Sequence, residues 1–264
     1  MIKSLSLPSK IQIIQFFWQH ILLLVSLYVM TLGVALCVRS NLGSSVISSI
    51  PMTFSLAGQQ NLAPPLTIGG YTNLMNMILV VGQILVLRRR FEPVQLFQLL
   101  IGFVFGALID VNMYLTSMLT CDTLPVQIAV QFAGCTVMAA GIALEVRCGS
   151  VTMPGEGFPV AISRVTGRPF PKIKIVVDVT LVALAVVSCY CFWGAWQWNI
   201  IGIGTLFAMF YVGYVVKLLN PHMGWFDRLL GYRPGFRRYI YGLAQILPAS
   251  AKLGNKFEEL GEGG

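Results

Sequence analysis

The chain has 264 residues, of which 56% are hydrophobic and only 11% are charged, and its mean hydropathy is +0.76. An ordinary soluble domain carries about 25% charged residues, so this composition excludes a soluble enzyme and a disordered regulator and indicates a membrane protein. The net charge of +8 does not indicate nucleic-acid binding in a chain with so few polar residues.

Six apolar runs have roughly the 20 residues that a helix needs to cross a bilayer core. In chain order they cover about 17–38, 67–87, 94–117, 124–146, 173–193 and 197–219. The first run is too long for the apolar core of a signal peptide, and no small-residue cleavage site follows it. We therefore expect it to remain in the protein as a membrane span.

The distribution of Lys and Arg predicts the orientation of these spans. Basic residues lie in the N-terminus, in the second and fourth connections and in the C-terminal tail, whereas the third and fifth connections have none. Cytoplasmic loops are the ones enriched in Lys and Arg, so both termini are predicted to be cytoplasmic in a cell-membrane protein. The expected partner of these charges is the lipid bilayer with its anionic headgroups, and no nucleic-acid partner is expected.

An internal repeat relates the first three spans to the last three. The segment TLGVALCVR at 31–39 returns as AAGIALEVR at 139–147, an offset of 108 residues. The structural motif shared at this offset comprises Gly33 and Gly141, Arg39 and Arg147, and Pro51 and Pro159. Because each unit holds an odd number of spans, the two units must insert in opposite orientations, as the inverted repeats of many secondary transporters do.

The segment that follows each motif arginine is too polar and too interrupted to span a membrane. Residues 40–66 and 148–168 both contain a proline followed by a short apolar stretch. Proline suits the first turn of a helix, and Gly58 and Gly167 are placed to end it. We interpret each segment as a broken, re-entrant loop with a short half-helix; the alternative is a pair of amphipathic surface loops.

These patterns predict an all-α membrane protein of about six transmembrane helices, built as two inverted three-helix repeats with a broken or re-entrant half-helix loop in each. The predicted divisions are a cytoplasmic N-terminus (1–16), the first repeat (17–118), the second, inverted repeat (119–220) and a cytoplasmic tail (221–264). Aromatic and basic residues are interspersed in that tail, which is typical of an amphipathic helix in the headgroup plane; a partner-binding helix is the alternative.

The G-x-A-L-x-V-R segments, the PGEGFP stretch at 154–159 and the duplicated layout resemble the YczE/YyaS/YitT-like family of bacterial integral membrane proteins. The resemblance covers about residues 20–220 and leaves the tail outside. That family is chiefly uncharacterised, so the resemblance implies a bacterial cell-membrane protein and supplies no catalytic residue.

Three acidic residues are candidates for a solute-binding site, because ionisable groups within spans are costly and commonly functional. Glu145 lies about one turn from the end of the fourth span; a carboxylate that snorkels to the interface is the alternative. Asp178 lies inside the fifth span, and the alternative is an i, i+4 ion pair with Lys174 at the membrane surface. Glu156 lies between two glycines, at a half-helix start that favours anions; the alternative is that it simply caps that start.

Neutral polar residues complete the predicted site. In the repeat, Asn76 aligns with Asp178 and Ser48 aligns with Glu156, while Ser44 offers another hydroxyl in the first unit. No metal-ligand spacing joins the six cysteines to the two histidines, so no metal site and no cofactor are expected. The cysteines are interpreted as small buried apolar residues.

The preferred function is a secondary transporter or permease for a small polar or ionic solute, in which the two units rock about the site. The alternative is a non-transporting membrane scaffold or an accessory, regulatory protein. The chain has no Walker-type nucleotide-binding motif and no HExxH motif, so it is not expected to be an enzyme.

Overall fold

The computed structural model describes residues 10–91, 93–148 and 153–230, and every regular element within these ranges is helical. The α-helices, in chain order, are α1 (Lys10–Arg39), α2 (Val46–Gln59), α3 (Ile68–Leu87), α4 (Phe97–Leu115), α5 (Leu124–Cys148), α6 (Pro154–Thr166), α7 (Phe170–Trp193), α8 (Ile203–Leu219) and α9 (Gly224–Leu229). Short 3-10 helices cover Arg88–Arg90, Pro93–Leu96 and Asn220–His222.

Six of these helices are long and apolar enough to cross a membrane, which confirms the predicted number of spans. The candidate spans are Phe17–Arg39, Ile68–Arg90, Phe97–Leu115, Leu124–Cys148, Lys172–Trp193 and Ile203–His222. Large apolar side chains face outward on them, among them Leu85 at 68% exposure and Phe210 at 74%. Apolar surface of this extent needs an apolar surrounding, so the helices indicate a multi-pass membrane protein.

The last span begins later than its apolar run predicts. The run starts at about 197, whereas α8 starts at Ile203. Gly194 ends α7 in the left-handed conformation with φ of 64°, and Trp196 Nε1 donates to the Ile201 carbonyl at 2.9 Å. Tryptophan and glycine therefore form a compact connection here, which hydropathy alone cannot distinguish from a helix.

The centre of the fold is the contact between α1 and α5, which run antiparallel. Ser40 Oγ donates to Gln131 Oε1 at 2.6 Å near one end of the contact. Near the other end, Ser26 Oγ lies 3.7 Å from Cys148 Sγ. Residue numbers that rise along α1 thus fall along α5, and these polar contacts join the two halves of the chain directly.

The two repeated glycines bring α1 and α5 together. A Cβ on Gly33 would lie 2.6 Å from Cα of Met138, and a Cβ on Gly141 would lie 2.5 Å from Cα of Met30. Real Cβ atoms do not approach backbone this closely, so any larger residue would force the helices apart. Small residues at such contacts are typical of tightly packed membrane helices.

The two repeated arginines each bind the end of another helix in their own half. Arg39 Nη2 donates to the Met113 carbonyl in the last turn of α4 at 2.7 Å. Arg147 Nη2 donates to the carbonyl of Asn220, the residue that follows α8, and Arg147 Nε donates to Asn220 Oδ1 at 3.2 Å. Each guanidinium therefore satisfies helix-end carbonyls and complements the negative end of the helix dipole.

The short helix α2 lies beside the second half of α7. Its first residue, Val46, shares a buried cluster with Leu181 near the middle of α7. Further along, Thr53 Oγ1 lies 3.7 Å from Cys189 Sγ, and just beyond the end of α2 Trp193 Nε1 donates to the side chain of Gln60 at 2.7 Å. The helix thus begins beside the middle of α7 and ends beside its last residue.

The other short helix, α6, packs against α3 and α7. Phe158 on α6 lies against Gly82 on α3, where a Cβ would approach its ring to 2.8 Å. A Cβ on Gly155 would lie 3.1 Å from Ile47 Cδ1. The first turn of α6 therefore touches the first turn of α2, so the two short helices meet at their N-terminal ends.

The prediction that each repeated proline lies in the first turn of its half-helix is wrong. Pro51 and Pro159 are each the sixth residue of their helix, since α2 starts at Val46 and α6 starts at Pro154. Pro154 occupies the first helical position of α6, and Ser45 precedes α2 in an extended N-cap conformation. Gly167 does end α6, in the left-handed conformation with φ of 68°. Gly58 does not end α2, which continues to Gln59 and has Gln60 as its C-cap.

The described part of the predicted C-terminal tail packs against the bundle. Phe226 on α9 is buried in the main hydrophobic cluster with residues of α1, α4, α5 and α8. Trp18 Nε1 donates to the Leu229 carbonyl at 3.0 Å. At the other end of the chain, α1 already begins at Lys10, inside the segment predicted as the N-terminus. The predicted amphipathic stretch after 230 lies outside the described residues, as do residues 1–9.

Candidate functional site

A charged side chain is buried at the start of α6. Glu156 is the third residue of the helix, follows Pro154 and Gly155, and is only 8% exposed. A carboxylate in the first turn is favoured by the unpaired N–H groups and the positive end of the helix dipole. The expectation of an acidic residue at a half-helix start therefore matches the local geometry.

Glu156 shares a lysine with Asp178. Lys174 Nζ lies 2.7 Å from Asp178 Oδ1 and 3.3 Å from Glu156 Oε1. Side-chain exposure is 20% for Lys174, 15% for Asp178 and 11% for Glu156. The i, i+4 pair considered as the alternative for Asp178 is present, but it is largely buried and extends to a second carboxylate on another helix.

The second carboxylate oxygen of Glu156 is left without a partner. Glu156 Oε2 is buried and accepts no hydrogen bond from the described residues. Desolvating a charged oxygen without a donor is costly, so this atom is the strongest indication that the cluster receives something further.

Glu145 adds a third carboxyl group near the same place. It lies one turn before the end of α5, is 5% exposed, and its Oε1 accepts from the Met153 amide at 3.4 Å. Met153 is the N-cap residue of α6, so this contact places Glu145 beside the helix start that carries Glu156. We call Glu145, Glu156, Lys174 and Asp178 the ion cluster. Lys174 contacts two of its three carboxyl groups, those of Glu156 and Asp178.

Two glutamines border the ion cluster, and sequence reasoning missed both of them. Gln83 Nε2 donates to Gln98 Oε1 at 3.0 Å and lies 3.4 Å from the Pro154 carbonyl. Gly157 packs directly on this pair, since a Cβ there would lie 2.8 Å from Gln98 Oε1. Both glutamines interrupt otherwise apolar spans, which is the signal that could have identified them.

Asn76 lies apart from the ion cluster in its hydrogen bonding. It is 2% exposed on α3 and packs against Gly102 of α4, where a Cβ would lie 3.1 Å from Asn76 Nδ2. Neither of its amide atoms has a hydrogen-bond partner among the described residues. The structure thus supports Asn76 as an open polar position but does not join it directly to Asp178.

The two predicted serines have different surroundings. Ser44 Oγ donates to the Ile200 carbonyl at 3.1 Å, and the Ser44 amide donates to the same carbonyl at 2.9 Å, which ties the start of α2 to the connection before α8. Ser48 accepts from Ser45 Oγ at 2.9 Å within the first turn of α2. Ser44 therefore has a clear structural role, whereas Ser48 lies near the junction of the short helices.

Lys174 is the functional candidate that the sequence prediction undervalued. It was considered only as the partner of Asp178 four residues later. Its contact with Glu156 joins α7 to α6. The helical periodicity of the sequence does not predict which residues of these two helices meet. Among the described residues, no three or more His, Cys, Asp or Glu side chains are grouped to hold a metal ion.

The sequence of the chain matches the model of a protein family. The model for DUF6198, a family of unknown function, matches residues 17–221. The chain belongs to this family. The match extends from the start of the first candidate span to the turn after α8, and it confirms the expectation of an uncharacterised family. The YczE/YyaS/YitT-like resemblance remains a resemblance, and no curated protein and no solved structure matches the chain.

Proposed function

We propose that this protein is a secondary transporter or permease for a small polar or ionic solute, and not an enzyme. The single observation that carries the proposal is the ion cluster, which is buried among candidate membrane spans at the first turn of an interrupted helix. Ionisable groups in such places are expensive and mark solute or ion pathways. Many secondary transporters bind their solute where interrupted helices meet.

The proposal includes an inverted duplication of the fold. At the offset of 108, Gly33 corresponds to Gly141 and Met30 corresponds to Met138. The contact of Gly33 with Met138 therefore corresponds to the contact of Gly141 with Met30. At the helix ends, Arg39 binds Met113 and Arg147 binds Asn220. Contacts of whole helices exchange in the same way: α2 packs on α7 as α6 packs on α3, and α1 packs on α4 as α5 packs on α8.

The proposal also includes re-entrant short helices, which the same arrangement supports. The N-terminal ends of α2 and α6 touch at Ile47 and Gly155, and α2 begins beside the middle of a spanning helix. Two short helices that enter from opposite faces and meet at mid-depth satisfy these contacts. Their N-terminal amides are then satisfied by protein or by a wet cavity, which is the condition for irregular backbone inside a bilayer.

In the proposed mechanism, the two halves rock about the α1–α5 contact. The glycines at Gly33 and Gly141 keep that contact close, and movement of α6 relative to α3 and α7 exposes the ion cluster to one side and then to the other. The distribution of Lys and Arg supports cytoplasmic termini in a cell membrane. A solute gradient, or the gradient of a coupled ion, then drives transport.

The test compares metabolites in cells that produce wild-type protein with those in cells that produce Asp178→Asn. We expect a polar solute to change in level with the wild type and not with the variant, at equal amounts of protein in the membrane. Lys172→Met is the matched control, because this exposed residue lies outside the ion cluster, and it should behave as the wild type. Identical metabolite profiles for wild type, Asp178→Asn and empty vector would contradict the transporter proposal.

A membrane scaffold is the second candidate, and one observation favours it. α3 packs against α4, but α7 and α8 make no comparable contact, and α8 presents Phe210 and Tyr214 outward at 74% and 64% exposure. An aromatic face of this kind can receive a helix of another protein. A scaffold would lose its partner when Phe210 and Tyr214 are replaced by alanine, whereas the transporter should keep its solute specificity.

A further inference from the structure

We propose that the ion cluster binds a small organic cation with N–H donors, such as a primary ammonium group, and that Lys174 occupies the position of that cation in the present structure. This inference rests on the proposed function and names the class of solute that the site takes. Its basis is the geometry around Lys174 together with the unpartnered oxygen of Glu156.

The count of charged groups favours a cation over an anion. Glu156 and Asp178 both contact Lys174, which supplies the one ammonium group of the cluster, and the carboxyl group of Glu145 lies against Met153, the residue that precedes α6. The helix start at α6 does favour negative charge, but Glu156 in its first turn already supplies it. An anionic solute would have to displace a resident carboxylate, whereas a cation would take the place that the ammonium group of Lys174 fills.

The hydrogen-bonding geometry favours a cation that carries N–H groups. Lys174 Nζ contacts Asp178 Oδ1 at 2.7 Å and Glu156 Oε1 at 3.3 Å, so an ammonium group already fits between these oxygens. Glu156 Oε2 is buried and has no donor among the residues that the structure describes. A solute with several N–H donors that takes the position of Lys174 would also donate to this oxygen, whereas a quaternary ammonium has no hydrogen to donate.

A coordinated metal ion fits the described residues less well. Metal sites in proteins commonly need several ligands converging on one point. No group of three or more His, Cys, Asp or Glu side chains in the described ranges is arranged in that way. Lys174 itself also lies between two of the carboxylates, so a lysine-like cation is the better match to this arrangement.

The first experiment measures thermal unfolding of the purified full-length protein in detergent at constant ionic strength. Putrescine and ethylammonium are compared with tetramethylammonium, sodium, potassium and acetate. A ligand that binds the folded state raises the unfolding temperature. We expect the two N–H cations to raise it and the remaining ions to leave it unchanged. Equal shifts with every cation, or a shift with acetate alone, would overturn the inference.

The second experiment removes the ammonium group of Lys174, which competes with an added cation for the ion cluster. Lys174→Met should lower the apparent Kd for putrescine by about tenfold, because the positive charge of the lysine, which competes with the cation in a poorly hydrated site, is removed. Glu156→Gln should raise that Kd by a similar factor. Lys172→Met is the matched control and should leave the Kd unchanged. Weaker binding in Lys174→Met would assign the lysine to holding the cation rather than to replacing it, and would overturn the inference.

Transport is measured separately, so that the two proposals fail in different ways. The protein is reconstituted in proteoliposomes and uptake of radiolabelled putrescine is followed. Binding in detergent without any uptake would retain the cation site and contradict the transporter. Uptake of a neutral or anionic solute, without any putrescine binding, would retain the transporter and overturn the cation site.

Discussion

The two short helices have the same surroundings but different chemistry. At the repeat offsets, Glu156 aligns with Ser48, Lys174 with Thr72, Asp178 with Asn76 and Glu145 with Cys37. The second half therefore carries charge at every one of these positions and the first half carries none. The glycine contacts at Gly33 and Gly141 and the arginine contacts at Arg39 and Arg147 are present in both halves. The residues that pack the long helices together thus occur in both halves, whereas the acidic and basic side chains of the ion cluster occur only in the second half.

The largest expected effect would test the shared framework. Gly33→Leu and Gly141→Leu should each prevent folding, because a side chain there meets the backbone of the facing helix; overpacking at this level costs more than about 4 kcal/mol. The measurement is the yield of monodisperse protein after solubilisation. Gly213→Leu is the control, since a Cβ there meets nothing within 4 Å. Tolerance of leucine at one of the two glycines would break the equivalence of the halves.

A smaller but unequal effect should separate the two halves. Without added cation, Lys174→Met leaves Glu156 and Asp178 without their ammonium partner, which should cost about 2–4 kcal/mol. Thr72→Val removes one hydroxyl bond to the Ile68 carbonyl, which is 2.8 Å long, and should cost about 1 kcal/mol. The measurement is the unfolding temperature, with Lys172→Met as the control. Equal losses for Lys174 and Thr72 would contradict the difference between the halves.

The smallest effect should again be equal in both halves. Arg39→Gln and Arg147→Gln each remove a guanidinium from the end of α4 or from the turn after α8, and each should cost about 1–2 kcal/mol. Chemical denaturation in mixed micelles measures the loss. If one variant loses several times more stability than the other, the two halves are equivalent only in the glycine contact.

Much of the helical framework could be predicted from the sequence. Six long apolar runs predict six spans, and the matched Gly33 and Gly141 mark the repeat, although their contact between α1 and α5 is seen only in the structure. These features are local, or are repeated at one fixed offset, so composition and spacing detect them. The helix starts were less predictable, because α2 and α6 each begin five residues before the more prominent Pro51 and Pro159.

The candidate site was less accessible to sequence reasoning. Glu145, Glu156 and Asp178 could be singled out because carboxylates are rare in apolar spans. The link that Lys174 makes between Glu156 and Asp178 depends on how α6 packs against α7. The periodicity of the sequence does not predict that contact. Gln83 and Gln98 were missed for the same reason, since their pairing depends on the contact of α3 with α4.

The central claim is that the two halves cross the membrane in opposite directions, and cysteine labelling tests it most directly. Gln59 at the end of α2 and Arg168 after α6 are both exposed, and each can be replaced by cysteine after the exposed native Cys191 is changed to alanine. In intact cells, a membrane-impermeant maleimide should label Gln59→Cys and should label Arg168→Cys only after the membrane is opened. Labelling of both positions from the same side would contradict the inverted arrangement.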